Sequence, residues 1–296
     1  MSRWTNFSQM RWLAAIAGVF ATVGCARSPS PLAPNVGGSV GAPSHGVLTS
    51  STELPKTGEG YKCLRDDDRH HGIPRFVDAI GRAAKKVSTT RSGGTLGIGD
   101  LSVRNGGRLM PHFSHRTGRD ADLLFYVTSL EGAPIESPGF VHFGADGLAW
   151  DATNKRFIRF DVEREWLLVR ALLEDPEARI QWVFVSRTIE AVLLEWARAR
   201  GEPLEIIARA SEVMLQPNPG GVHDDHIHIR TACSPEEIAG GCEPTGPVRS
   251  WIAAIDAARV ETPASVTDLV AAIAQPIESS QSTAAGVAAA RPGARQ

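Results

Sequence analysis

The sequence predicts an α+β domain with a small, mainly antiparallel sheet flanked by helices. Four segments carry apolar residues at helical spacing, and four others are short, apolar and rich in β-favouring residues. Their order is helix, strand, strand, helix, strand, two helices and strand, which suits this fold class. The chain has 296 residues, 42% of them hydrophobic, which is enough for one substantial core.

The helices are predicted from apolar spacing and from their end signals. The first covers 74–87, where Phe76 and Ile80 share a face and Pro74 suits the first turn. The other predicted helices are 162–173, 188–200 and 204–213. The predicted strands are 94–101, 121–127, 181–185 and 226–230.

The N-terminus has the pattern of an export signal over residues 1–24. Arg3 and Arg11 precede the apolar run Trp12–Val23. As a helix this run rises only about 18 Å, against a hydrocarbon core of about 30 Å, so a permanent membrane span is the weaker interpretation.

Residues 22–25, Thr-Val-Gly-Cys, are similar to a bacterial lipobox. We therefore expect a lipid on Cys25, with simple secretion and an uncleaved anchor as alternatives. An aspartate at position 26 would favour attachment to the inner membrane. The residue at this position is Ala26, which indicates attachment to the outer membrane. The expected location is the periplasm, with the protein attached to the outer membrane.

Both flanks of the predicted domain contain few large apolar side chains. Residues 25–55 are rich in Ser, Pro, Gly, Ala and Thr, which predicts a disordered tether. Residues 259–296 predict a low-complexity tail with a short helix near 266–274, so the folded domain is predicted over 56–258. A formal net charge of −2 gives no electrostatic basis for nucleic-acid binding.

Cysteine positions favour one disulfide, because an exported chain can keep such bonds. If Cys25 is lipidated, Cys63, Cys233 and Cys242 remain. Cys233 and Cys242 flank a short loop after the last predicted strand and are the preferred pair, with Cys63 as a buried thiol or a competing partner. Zinc binding by cysteines is disfavoured because no Cys-x-x-Cys spacing occurs.

Two separated segments predict a split zinc site. His115 and Asp122 lie seven positions apart, and the second segment is His223-Asp-Asp-His-Ile-His228. A catalytic zinc commonly takes three imidazole or carboxylate ligands and leaves its fourth position to water. His115, Asp122 and His228 supply such a set. His226 shares a strand face with His228 and would stand beside the water. The alternative is a metal held for structural reasons, or no metal.

The same segments resemble the two signature blocks of the penicillin-insensitive murein endopeptidase family. The matching stretches are 106–122, GGRLMPHFSHRTGRDAD, and 223–230, HDDHIHIR. The similarity covers roughly residues 60 to 245 and includes Cys233 and Cys242, which match a family cysteine pair. That family is grouped with lysostaphin, the D-Ala-D-Ala dipeptidases and the hedgehog signalling domain, so the resemblance implies a hedgehog/D-Ala-D-Ala-peptidase-like fold.

The resemblance implies a zinc-dependent murein DD-endopeptidase that hydrolyses D-alanyl-meso-diaminopimelyl cross-links of peptidoglycan. On the matching positions, the Zn²⁺ ligands are His115, Asp122 and His228. The implied catalytic residues are His226, His223 and His112.

Three carboxylates are candidate acceptors that orient the histidines: Asp120, Asp224 and Asp225. For each of these aspartates, a role as a turn residue or as a solvated carboxylate is about as well supported by the sequence. Two other functions stay open on the sequence. One is a carboxypeptidase or dipeptidase that trims D-Ala-D-Ala ends, and the other is a non-catalytic, zinc-containing module that binds peptidoglycan.

Overall fold

The computed structural model describes residues 38–218 and 221–260. Contacts divide the chain into two units, Met1–Ile252 and Ala253–Gln296. The predicted export signal, Cys25 and the helix expected near 266–274 lie outside the described residues. Within the described ranges, no helix has both the length and the apolar character needed to cross a membrane.

The predicted α+β class is confirmed. The helices are α1 Pro74–Thr90, α2 Val162–Glu174, α3 Arg187–Ala199, α4 Leu204–Val213, α5 Pro235–Ala239 and α6 Ser250–Val260. The strands are β1 Ser39–Ala42, β2 His45–Leu48, β3 Thr52–Glu53, β4 Thr57–Gly58, β5 Tyr61–Cys63, β6 His71–Gly72, β7 Leu96–Ile98, β8 Asp120–Leu124, β9 Val127–Thr128, β10 Pro134–Ile135, β11 Leu148–Asp151, β12 Arg156–Phe160, β13 Ile180–Phe184, β14 Met214–Leu215 and β15 His226–Thr231.

The helices begin where side chains or proline suit the first turn. α1 has Pro74 at its start and buries Phe76 and Ile80, as the spacing predicts. Asp161 caps α2 by accepting a hydrogen bond from the backbone N–H of Arg164, and Ser186 caps α3 in the same way. The four predicted helices are therefore present at their predicted places.

A central sheet of seven strands has the order β14-β13-β15-β8-β7-β5-β4. The pairs β13–β14 and β5–β7 are parallel, and the other neighbours are antiparallel. The sheet is thus mainly antiparallel, as predicted, but it has more than the four predicted strands. The additional strands β4, β5 and β14 have only two or three residues, too few to show an alternating pattern.

A second, four-stranded sheet, β10-β9-β12-β11, was not predicted as a sheet. Its hairpin pairs Leu148–Asp151 with Arg156–Phe160. The ring of Phe160 packs edge-on against Phe125, with 5.1 Å between centroids, and against Phe143 at 5.9 Å. This aromatic contact joins the second sheet to the core beside β8.

The predicted tether is partly wrong, because β1, β2 and β3 lie within residues 25–55. Ser39–Ala42 pairs with His45–Leu48 in an antiparallel hairpin. Leu48 and Leu54 are only 2% and 1% exposed and belong to the core. Backbone pairing and two buried leucines order a segment whose average composition is polar and small. The folded domain therefore includes residues 38–55, whereas the remainder of the predicted tether lies outside the described residues.

The exit of β15 is fastened by covalent and ionic contacts. Cys233 and Cys242 form a disulfide, and Cys63 is a buried free thiol. Between the bonded cysteines, Glu237 accepts two hydrogen bonds from Arg75 of α1, at 2.8 and 2.7 Å. These contacts fix β15, which carries two of the predicted site histidines, against α1.

Glu165, in the first turn of α2, is a carboxyl with no exposed surface. Its Oε2 accepts a hydrogen bond from the backbone N–H of Tyr126 at 3.1 Å, and its Oε1 has no hydrogen-bond partner. Burial raises the pKa of Glu165 to about 8, although the Tyr126 hydrogen bond acts in the opposite direction. The folded protein therefore holds a proton here that an unfolded chain releases.

We expect Glu165 to make the protein less stable as the pH rises from about 4.5 to about 8. The contribution of protonated Glu165 to the free energy of unfolding is complete below the pKa of this group in the unfolded chain. It is lost as the pH rises to the pKa in the folded protein, and the free energy of unfolding then falls with a slope approaching about 1.4 kcal/mol per pH unit. Glu165→Gln cannot ionise and should remove this slope. Urea unfolding between pH 5 and 8 measures it. Glu163→Gln, at a partly exposed position on the same helix, is the control and should keep it. Equal slopes in the unmodified protein and Glu165→Gln would contradict the assignment.

Candidate metal centre

The centre of the site is set by the register of β8 and β15. These strands are antiparallel, with His228 directly opposite Asp122 and Arg230 opposite Asp120. Directly opposed side chains on one face lie close together, and residues two apart share that face. Asp120 and Asp122 therefore meet His228 across the strands, and His226 follows on the same face, as the sequence predicts.

His115 reaches the same place from the loop before β8. Its backbone has φ 64°, in the left-handed region. The hydroxyl of Ser102 donates to the His115 carbonyl at 2.5 Å and accepts from the N–H of Gly118 at 3.0 Å, which holds the loop. His115 Nδ1 donates to the carbonyl of Leu101 at 2.6 Å. Because a carbonyl only accepts, this bond fixes the proton on Nδ1 and leaves the Nε2 lone pair for a ligand in neutral His115.

The carboxylate of Asp122 lies among four imidazoles. Its Oδ1 is 3.3 Å from His115 Nε2, 3.3 Å from His226 Nε2 and 3.4 Å from His228 Nδ1. Its Oδ2 is 3.7 Å from Nδ1 of His112. Asp122 is buried, and within the described residues neither its two oxygens nor His115 Nε2 has a hydrogen-bond partner. Buried polar atoms of this kind ordinarily require a partner, so the residues fit a bound cation.

His228 carries its proton on the side away from Asp122. Its Nε2 donates to Asp120 Oδ1 at 2.8 Å, which turns Nδ1 toward Asp122. Burial lowers the pKa of His228 to about 4, and nearby His115 adds to this effect, although the bond to Asp120 opposes it. His228 is therefore neutral near pH 7, as a metal ligand must be.

The pKa of His226 is shifted in the opposite direction to that of His228. Burial lowers its pKa, but the neighbouring carboxylates of Asp122 and Asp225 outweigh burial and raise the pKa to about 9. Its Nδ1 donates to Asp225 Oδ1 at 2.6 Å. These carboxylates therefore favour the protonated form of His226, which lies beside Asp122.

His112 lies closer to the centre than the sequence indicates. Its Nε2 donates to Asp100 Oδ2 at 2.7 Å, and its Nδ1 faces Asp122. The ligand atoms of His112, His115 and Asp122 all lie within 4.8 Å of one another. Among the described residues, this compact group contains His112 where the predicted set has His228, whose Nδ1 lies 3.4 Å from Asp122 Oδ1. His112 is therefore a further candidate ligand beside the predicted three.

His223 lines the cleft at a greater distance. Its ring centroid is 5.0 Å from that of His226 and 5.7 Å from that of His228. Its Nδ1 bonds to the Gly221 carbonyl at 2.7 Å, and burial lowers its pKa. The cleft has a volume of about 430 Å³. Its walls include all of the predicted catalytic histidines.

The three candidate orienting carboxylates have different partners. Asp120 accepts from His228 and also from Nε of Arg230, at 2.6 Å. Burial raises the pKa of Asp120, but Arg230 and His228 outweigh it and hold that pKa far below its usual value. Asp225 accepts from His226. Asp224 instead accepts from Nδ1 of His142 at 2.7 Å and contacts none of the predicted ligands.

Sequence reasoning assigned no role to Asp100 or to His142. Asp100 follows β7, and its backbone carbonyl accepts from the N–H of Asp122 at 2.9 Å. The available signal was the position of Asp100, a carboxylate at the end of a strand that neighbours the strand of Asp122. His142 lies in a loop between the second sheet's strands, where no spacing marks it. His142, Asp224 and Asp225 form a second cluster with ligand atoms within 4.8 Å, at the cleft edge.

Comparison with known proteins identifies the family. A family model described as penicillin-insensitive murein endopeptidase matches residues 39–251. The chain belongs to this family. A penicillin-insensitive murein endopeptidase of Haemophilus influenzae is 26% identical over 233 residues, which are 75% of this chain and 72% of the relative.

Relatives with the same name from Klebsiella pneumoniae and Escherichia coli match a shorter stretch. They are 36% and 38% identical over 91 residues, which are 30% of this chain and 33% of each relative. The resemblance inferred from the two signature blocks is therefore confirmed. Membership of the penicillin-insensitive murein endopeptidase family indicates a hydrolase that acts on peptides.

We expect Asp120→Asn to weaken zinc binding by about 10- to 100-fold, because His228 loses the carboxylate that fixes its proton. Competition titration against a chelator measures the affinity, and circular dichroism checks that the variant is folded. Asp175→Asn is the control and should bind zinc normally, since Asp175 pairs with Arg82 at the C-terminal end of α2. Equal losses in the two variants would refute the orienting role of Asp120.

Proposed function

We propose that the protein is a zinc-dependent murein DD-endopeptidase that hydrolyses the D-alanyl-meso-diaminopimelyl cross-links of peptidoglycan. The observation that carries this proposal is the buried carboxylate of Asp122, which has no hydrogen-bond partner in the described part of the chain and lies within 3.3–3.7 Å of four imidazole nitrogens. Family membership supports the substrate class, because the related proteins carry the name murein endopeptidase.

His115, Asp122 and His228 would hold the zinc ion, and His112 lies within reach of the same point. When bound, zinc supplies a Lewis acid that polarises the scissile carbonyl and lowers the pKa of water. Nδ1–H of His115 and Nε2–H of His228 stay bonded to Leu101 and Asp120, so their other ring nitrogens keep lone pairs for the metal.

His226 is the proposed proton-handling residue. Asp225 holds its Nδ1, and its Nε2 faces Asp122 in the cleft. As an imidazolium, His226 would offset the negative charge that develops on the carbonyl oxygen and keep a proton near the leaving amine. No side chain forms an acyl intermediate in this scheme, so β-lactams that acylate a serine should leave the activity unchanged.

The sequence supports export of this hydrolase to the compartment that contains peptidoglycan. We propose a cleaved signal over residues 1–24, a lipid on Cys25 and attachment to the outer membrane from the periplasmic side. An anchored enzyme of this kind meets its polymeric substrate at a membrane surface.

Digestion of purified cross-linked muropeptide dimers tests the proposed bond. We expect the full-length, zinc-loaded protein to produce monomers, which mass spectrometry identifies. Release of alanine or its dipeptide alone would instead indicate a carboxypeptidase or dipeptidase. Tight binding without any product would indicate a binding module, and full activity after metal removal would refute the zinc mechanism.

Substitutions of the two histidines on β15 should separate metal binding from turnover. His226→Ala should retain zinc and lose about 10²- to 10⁴-fold in kcat, because it removes only the proton-handling group. His228→Ala should lose zinc together with activity, because it removes a ligand. Atomic absorption after dialysis measures the zinc content beside the rate on dimers. Loss of zinc in both variants, or in neither, would contradict this division of roles.

A further inference from the structure

The cleft contains a positive charge that the proposed mechanism does not use. Among the described residues that line it, Arg65 is the only arginine or lysine. Arg65 follows β5, and its side chain is 37% exposed. It is therefore accessible from the cleft as well as anchored in the wall.

Two contacts hold the guanidinium of Arg65 in place. Its Nη1 donates to Asp100 Oδ1 at 2.5 Å, and its Cζ lies 5.5 Å from the centroid of the Phe140 ring. Phe140 in turn contacts the ring of His226 edge-on, with 5.1 Å between centroids. Asp100 also accepts from His112 through its other oxygen. Arg65 is thus positioned one side chain away from both His226 and His112.

Beside the proposed metal and His226, Arg65 gives the cleft a further cationic group that can attract an anion. The carboxylates that line the cleft already have cationic or imidazole neighbours, at 2.5–3.7 Å. In the part of the chain that the structure describes, the Arg65 side chain donates only the hydrogen bond to Asp100, which uses one of its five N–H donors. The remaining fork of donors matches a carboxylate.

The proposed substrate carries a carboxylate near the reacting bond. In a D-alanyl-diaminopimelyl cross-link, the leaving nitrogen is attached to a carbon that also bears a free carboxylate. We propose that Arg65 binds this carboxylate and thereby selects amide bonds whose amine side has a free α-carboxylate. The inference rests on the proposed function for its substrate, and on the position of Arg65 for its site.

Arg69 provides a control for a purely structural role. Its Nη1 also donates to Asp100, through Oδ2 at 3.4 Å, and its Nε donates to Asp67 at 2.9 Å. Arg69 is not among the residues that line the cleft. If Arg65 only neutralises Asp100, then substitutions of Arg65 and Arg69 should have similar effects on every substrate.

The test compares two cross-linked dimers that differ only in whether this carboxylate is free or amidated. On the unmodified full-length protein we expect amidation to lower kcat/KM by about tenfold or more, as for loss of a hydrogen bond to a charged group. Arg65→Gln should lower kcat/KM on the free-acid dimer by a similar factor, and amidation of the dimer should cause no further loss in this variant. Arg69→Gln should keep the full effect of amidation. Arg65→Lys should recover part of the preference, because it restores charge without the fork.

Undiminished sensitivity to amidation in Arg65→Gln would overturn the inference. Calorimetric binding of the diaminopimelate-containing product peptide, as free acid and as amide, gives a second measurement that needs no turnover. We expect the free acid to bind about tenfold more tightly to the unmodified protein and equally with the amide to Arg65→Gln. Failure to cleave either dimer would count against the proposed function alone. Equal binding of both peptides by the unmodified protein would count against the carboxylate site.

Discussion

The site depends on one constraint, the antiparallel register that places His228 directly opposite Asp122 in the centre of the main sheet. A slip of one residue would turn every side chain of β15 to the other face and separate the histidines from Asp122. The contacts around β15 oppose such a slip. The Cys233–Cys242 disulfide and the Arg75–Glu237 pair fix its exit, and pairing with β13 and β8 fixes both of its edges.

Neighbouring carboxylates then give the imidazoles of the site different protonation states. His226 and His228 lie two residues apart on one strand face, yet the pKa of the first is raised to about 9 and that of the second is lowered to about 4. Partial or full burial lowers both pKa values. His226 contacts two carboxylates that reverse the effect, whereas for His228 the single carboxylate of Asp120 does not outweigh burial. The proposed division between a ligand and a proton-handling group therefore rests on the surroundings of the two histidines, because the residue type is the same.

The sequence predicted those parts of the molecule that follow a regular spacing. A period of two placed His226, His228 and Asp122 together, and helical periodicity found α1 to α4. Regular spacing failed to predict the two- and three-residue strands. It also failed for the hairpin that contains Leu48, where backbone pairing and buried leucines order a segment of small and polar residues. It also assigned nothing to Asp100, because this carboxylate reaches His112 only after the chain has folded. Contacts made between loops leave no periodic trace in the sequence.

The arrangement of hydrogen bonds favours catalysis over a structural role for a metal at this site. A metal that only stabilises the fold needs ligands and acceptors that orient them, and His115 and His228 with Leu101 and Asp120 already provide these contacts. Nothing in such a role requires a further imidazole beside the metal ligands with a carboxylate of its own to hold it. Asp225 nevertheless holds His226 in this position, at the wall of the cleft. A fixed proton next to a carbonyl-polarising site is what hydrolysis of an amide requires, because charge develops on the oxygen and the leaving nitrogen must be protonated.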